Sequence, residues 1–167
     1  METILQKNLK KDEAGLWFLG QAGYVVKGCG TVVAVDPYLT DSCGKGNAGF
    51  SRLVAVPISP EKLKVDLFIV THDHADHLDP ATVSSYAHKE TTLFVGPRFA
   101  CRKLKSLGVP GERIVTIDTG ETKVVEGVSI TGVYTVPTDA TVLDTTGYLI
   151  EFKNGRSLYH TSDTGFS

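Results

Sequence analysis

Five apolar residues, Val65, Leu67, Phe68, Ile69 and Val70, run into Thr71-His72-Asp73-His74-Ala75-Asp76-His77-Leu78-Asp79-Pro80, and this junction constrains the chain more than any other stretch. A short, partly β-branched apolar run reads as a buried central strand. Asp79 followed by Pro80 reads as a helix N-cap with proline at the first helical position, which predicts a helix over residues 80–88. Three histidines and several carboxylates thus lie where a strand ends and a helix begins, a place where open α/β sheets commonly put their sites.

Such a density of donors asks for a metal. Neutral imidazole and carboxylate each offer a lone pair, and zinc or manganese accepts mixed nitrogen and oxygen shells. His72 and His74 are two apart, so in extended backbone they point the same way and can grip one ion. Asp76 and His77 are adjacent, and a turning loop lets them serve a second ion close by; they are also the candidate catalytic residues.

Elsewhere the pattern is β-rich first and α/β afterwards. Strands are expected over residues 16–19, 24–27 and 31–35, forming a meander through glycine-marked turns. Residues 38–48 are polar and glycine-rich, and so long a connection suits a lid, a substrate loop or an oligomer contact. Beyond the histidine motif the pattern predicts strands at 92–95 and 113–117 flanking a helix at 98–107. Strands at 122–126, 128–134, 147–153 and 157–160 follow, with Asn154-Gly155 as a type I′ hairpin turn.

The order His-x-His-x-Asp-His after a buried strand resembles the signature of the metallo-β-lactamase superfamily. Residues Gly15 to Gly23 look like that family's opening hairpin, Val33-Ala34-Val35-Asp36-Pro37 like its next strand, and Leu158-Tyr159-His160-Thr161-Ser162-Asp163-Thr164 like its segment with a metal-bridging aspartate. Asp36-Pro37-Tyr38, Pro57-Ile58-Ser59-Pro60 and Tyr159-His160 are similar to the L-ascorbate-6-phosphate lactonase branch.

The resemblance implies an α/β (α+β) fold, the αββα sandwich, of which this chain carries mainly the N-terminal half. It implies a single domain over residues 1–167, truncated at its C-terminal end. It also implies two divalent ions, zinc or manganese, with His72 and His74 on the first, Asp76 and His77 on the second, and Asp163 between them. A metal-bridged hydroxide would then open an ester-like bond, with a phosphorylated sugar-acid lactone as the branch-level substrate. A phosphodiesterase of the same superfamily and a non-catalytic half-fold that binds metal weakly are the competing expectations.

Two departures from the family pattern bear on the site. No histidine precedes the last pair of strands, where the chain reads Tyr134-Thr135-Val136-Pro137-Thr138-Asp139. Asp139 is left as an oxygen ligand, which favours a harder ion such as manganese, as a carboxylate supporting a ligand from behind, or as a surface turn carboxylate. Ser162 stands where glycine is usual, so the backbone entering Asp163 is expected to differ.

Asp36 reads equally as an acceptor orienting a ligating histidine and as a cap of the following loop. Asp73 and Asp79 suit capping, His88 the end of a helix, and His160 packing within a strand. Arg52, Arg98, Arg102 and Lys103 form no recognised phosphate cradle. Lys7, Lys10 and Lys11 read as a solvated helix face.

Composition sets bounds on function. The chain has 167 residues, 41% hydrophobic and 22% charged, with a formal net charge of −2. That balance fits one soluble domain and gives no electrostatic footprint for nucleic acid. No apolar run approaches the roughly 20 residues that span a bilayer. Cys29, Cys43 and Cys101 are odd in number and lack Cys-x-x-Cys spacing, which fits reduced thiols and a cytoplasmic setting. The expected partner is a small molecule, with a homo-oligomer left open.

Overall fold

The computed structural model describes residues 1–138, 140–142 and 144–166. Two sheets face each other. The first begins with an antiparallel meander, β1 (Ala14–Gly20), β2 (Gly23–Gly28) and β3 (Thr31–Val35). It then gains β4 (Leu67–Ile69), β5 (Leu93–Gly96) and β6 (Ile114–Thr116), each parallel to its neighbour. The second sheet is antiparallel, built from β7 (Thr122–Val125), β8 (Val128–Tyr134), β9 (Thr146–Glu151) and β10 (Ser157–His160) in the order β10-β9-β8-β7.

The strict alternation of side chains along a strand explains the layering. Val33, Val35, Leu67, Ile69 and Val95 point between the sheets, where they meet Val128, Ile130, Tyr148, Ile150 and Phe152 of the second sheet and the residue after it. Ala34, Phe68 and Phe94 point the other way, under the helices. Burial on both faces is why these strands read as unbroken apolar runs.

Four short helices complete the described chain: α1 (Glu2–Gln6), α2 (Ser42–Gly46), α3 (Pro80–Ser85) and α4 (Arg98–Ser106). Val83 of α3 and Ala100 and Leu104 of α4 are fully buried against the outer face of the first sheet. Phe68, Tyr86 and Phe94 pack there as an aromatic trio with ring centroids 5.0–5.8 Å apart, a separation at which aromatic pairs add to plain area burial. Among the described residues no helix is long and apolar enough to cross a membrane.

Several local expectations need correction. Helix α3 stops at Ser85 because Tyr86 adopts an extended backbone and turns inward, so His88 lies beyond the helix and closes nothing. Lys7, Lys10 and Lys11 follow α1 rather than lying on it. At the last hairpin, Gly155 has φ +78° while Asn154 keeps a negative φ, so the turn is not type I′. The side-chain amide of Asn154 donates to the carbonyls of Lys11 and Glu13 at 3.1 and 3.0 Å, which fixes it to the N-terminal loop instead. The 38–48 connection contains α2 and runs into a 3-10 turn, Ala48–Phe50, and is thus an ordered loop.

Candidate metal centre

The site grows from the ends of β3, β4 and β10. Strand β4 delivers the chain into bends at residues 71–74 and a turn in which the amides of His77 and Leu78 both donate to the His74 carbonyl, at 3.1 and 2.7 Å. The backbone is not extended between His72 and His74, yet their rings converge: His72 Nε2 and His74 Nδ1 are 3.1 Å apart. The outer nitrogen of each ring meets a hydroxyl. His72 Nδ1 lies 3.0 Å from Thr71 Oγ1 and 3.3 Å from Ser162 Oγ, and His74 Nε2 lies 3.2 Å from Thr141 Oγ1.

Asp36 stands at the end of β3 in a left-handed conformation, φ +43°. Its amide still bonds the Ile69 carbonyl of β4 at 2.9 Å, so the reversal turns the carboxylate under the histidine loop. The Thr71 amide donates to Asp36 Oδ1 at 2.8 Å and the Thr71 hydroxyl to Oδ2 at 2.7 Å. His77 Nδ1 sits 2.7 Å from Oδ2. The other nitrogen of His77, Nε2, faces Asp163 Oδ1 at 3.2 Å and Asp76 Oδ2 at 3.8 Å.

Asp163 enters from beyond β10, where Ser162 holds φ +57°. Serine has therefore taken the left-handed conformation that glycine adopts without strain. The Ser162 amide donates to His160 Nδ1 at 3.2 Å, and His160 Nε2 meets the Ala22 carbonyl at 3.0 Å, so His160 is a packed strand residue that positions the segment.

Electrostatics follow from this burial. For Asp36, burial opposes ionisation, but the charge and hydrogen bond of His77, with smaller help from His160 and Thr71, outweigh it and bring its pKa down to about 2. For His77, burial again opposes charge, yet the carboxylates of Asp36 and Asp163 raise its pKa to about 10. For His72, burial and the neighbouring His77 charge dominate and lower it to about 4. Asp163 falls below its ordinary value, chiefly through its hydrogen bond to His77.

The donor set fits divalent metal. Two nitrogens bound at about 2.1 Å to a tetrahedral ion lie roughly 3.4 Å apart, close to the His72–His74 pair. His72, His74 and Asp163 each offer one ligand atom within 4.8 Å of the others, while a neutral His77 with Nδ1 on Asp36 would aim Nε2 between Asp163 and Asp76. A histidine whose far nitrogen rests on a carboxylate is the usual support for a metal ligand.

A cleft of about 440 Å³ opens on these groups, lined by Cys43, Phe50, His74, Ala75, Asp76, Thr138 and Asp163. The 38–48 connection therefore borders the site. Asp79 fastens it there: besides capping α3 through the amides of Ala81 and Thr82, it accepts from Thr40 Oγ1 at 2.7 Å and Ser42 Oγ at 2.9 Å.

Sequence reasoning did not anticipate Thr71 or Thr141, and only the hydroxyl next to the first histidine offered a signal. Arg52, by contrast, is held away from the cleft by the carbonyls of Leu19, Tyr38 and Val54. Arg98 pairs with Asp118, Arg102 lies over Phe99, and Lys103 donates to the Asp73 carbonyl. Asp139 lies outside the described residues.

Known proteins resemble this chain in sequence and in fold. A metal-dependent hydrolase from Polynucleobacter asymbioticus is 30% identical over 167 residues, covering 90% of this chain and 55% of the relative. One from Thermoplasma acidophilum is 31% identical over 140 residues, covering 80% and 54%. The chain thus spans about half the length of these relatives. Among solved structures, an isothiocyanate hydrolase from Delia radicum gut bacteria superposes with a TM-score of 0.71 at 23% identity, covering 93% of this chain and 64% of that one. A possible metal-dependent hydrolase from Veillonella parvula gives 0.70 at 22%, covering 87% and 61%. These likenesses show the metallo-β-lactamase-like fold, of which this chain carries a part. A family model described as the beta-lactamase superfamily domain matches residues 31–167, from β3 through the whole histidine site, and the chain belongs to that superfamily.

Proposed function

We propose that this chain carries the metal-binding half of a metal-dependent hydrolase that opens an ester-like carbonyl bond, such as that of a lactone. The observation that carries this reading is the convergence of His72 Nε2 and His74 Nδ1 at 3.1 Å with Asp163 beside them and His77 braced by Asp36. The metal-dependent hydrolase relatives support it. His72, His74 and Asp163 would hold one ion, and Asp76 and His77, with Asp163 shared, a second. The mixed nitrogen and oxygen set suits zinc or manganese.

Bound there, divalent ions would supply Lewis acidity, polarising a carbonyl and lowering the pKa of water towards neutrality. The protein's part is positional. Asp36 fixes the tautomer of His77 by accepting a hydrogen bond from Nδ1–H, Thr71 and Ser162 set the His72 ring, and Thr141 sets His74. Asp76 lines the cleft, and in this reading it takes a proton from the attacking water and returns it to the leaving alkoxide.

The finer reading, a lactone of a phosphorylated sugar acid, rests on sequence likeness, and among the described residues no lysine or arginine lines the cleft to support the phosphate. The same absence ranks phosphodiesters below carbonyl substrates. The test is metal content and lactone turnover in the parent and His74→Ala. Near two ions per chain, and turnover lost in the variant, are expected. Less than one ion per chain or equal turnover in the variant would overturn the proposal, and turnover of a chromogenic phosphodiester without lactones would move it to phosphorus chemistry.

A further inference from the structure

The cleft has one apolar wall that the hydrolase reading does not use. Phe50 lines it together with Ala75 and Cys43, in the same cleft as His74 and Asp163, and is 56% exposed. Single exposed apolar side chains are ordinary on a protein surface; what sets Phe50 apart is that it lines the same cleft as His74 and Asp163. Its position is set by its loop: the Asn47 side chain accepts from the Gly49 amide at 2.9 Å, and the Arg52 amide donates to Asp41 Oδ1 at 3.0 Å. On the near side, Cys43 donates its amide to the Tyr38 hydroxyl at 2.9 Å and Ser42 is tied to Asp79. The phenyl ring is therefore presented by a loop fastened on both sides.

A charged group on the substrate, remote from the reacting bond, needs its own cation or donor fork. Among the described residues the cleft lining contains neither lysine nor arginine, and its carboxylates are those of Asp76 and Asp163. Arg52, in the same loop, is bound by three backbone carbonyls, with Nη1 to Tyr38 at 2.5 Å and Nη2 to Leu19 at 2.6 Å.

We infer that the part of the substrate away from the reacting bond is uncharged and apolar and lies against Phe50. This rests on the hydrolase reading for the reacting end, but the apolar subsite has its own test. Three chelators sharing a metal-binding head and differing in tail separate the terms in the metal-loaded full chain: acetohydroxamate, phenylacetohydroxamate and succinic monohydroxamate. The phenyl tail is expected to bind about tenfold tighter than the methyl tail, the scale of burying part of a ring. Phe50→Ala should erase that gain with metal content unchanged, and the anionic tail should gain nothing. A tightest-binding anionic tail, or a phenyl gain that survives Phe50→Ala, would overturn the inference.

A metal-free readout distinguishes the two claims. In EDTA, Phe50→Trp titrated with benzyl alcohol should show a saturable emission shift that the parent, with Trp17 alone, lacks; no shift counts against the subsite. Failure of all three chelators alongside a responding indole would sink the hydrolase reading and leave the subsite standing.

Discussion

Asp36 and His77 are 41 residues apart in sequence and 2.7 Å apart in space, with the carboxylate at the end of β3 taking Nδ1 of the imidazole in a fully buried contact. That one bond decides which nitrogen of His77 faces Asp163 and Asp76.

Asp36→Asn should weaken metal binding by about 10- to 100-fold, the usual effect of losing a carboxylate behind a histidine ligand. The amide can still accept one bond but no longer enforces the tautomer by charge. Competition with a metallochromic chelator measures this, and unchanged affinity would show that His77 does not depend on Asp36.

The metal-free chain should be most stable near neutral pH. His77, raised from 6.5 to about 10, contributes stability fully present below pH 6.5 and lost as pH rises towards 10. His72, lowered to about 4, costs stability as pH falls from 6.5, because the unfolded chain takes up its proton first. Asp36, lowered from 3.8 to about 2, adds a further loss in acid. Urea unfolding in EDTA at pH 5, 6.5 and 9 should give the highest midpoint at 6.5; a midpoint still rising at pH 9 would contradict the Asp36–His77 pair.

Ser162 offers a cleaner comparison because its backbone is strained while its hydroxyl lies near His72. Ser162→Gly relieves the left-handed φ and should be about 1 kcal/mol more stable than Ser162→Ala, which keeps the strain. Both lose the hydroxyl, so their metal affinities should agree. Thermal unfolding that ranks alanine above glycine would rule out the strain.

Removing Asp79 should act on two elements at once. Asp79→Ala takes away the N-cap of α3, at a cost of about 1–2 kcal/mol, and releases Thr40 and Ser42. Hydrogen exchange should therefore accelerate in residues 40–52 as well as in α3. Acceleration confined to α3 would mean that the loop is held by other contacts.

The strand–loop–helix around the histidines was legible because each part of it is local. A short apolar run, a donor-rich loop and an Asp-Pro cap need no distant partner, and Asp79 caps the helix where the pattern put it. The helix end was not legible, since Tyr86 leaves it to pack on Phe68 and Phe94, on the strands before and after the helix, a contact that only the folded sheet creates. Asn154-Gly155 misled for the same reason: the asparagine amide is drawn to Lys11 and Glu13 from across the molecule.

Donor type and spacing in the motif point to a divalent metal, because closely spaced His and Asp offer the mixed nitrogen and oxygen donors such ions accept. Only the tertiary structure decides how the donors are aimed. Thr141 reaches His74 across 67 residues and Ser162 reaches His72 across 90. These contacts, with that of Asp36, set ring orientation and charge by burial, and burial depends on which sheets come together rather than on which residues are neighbours in the chain.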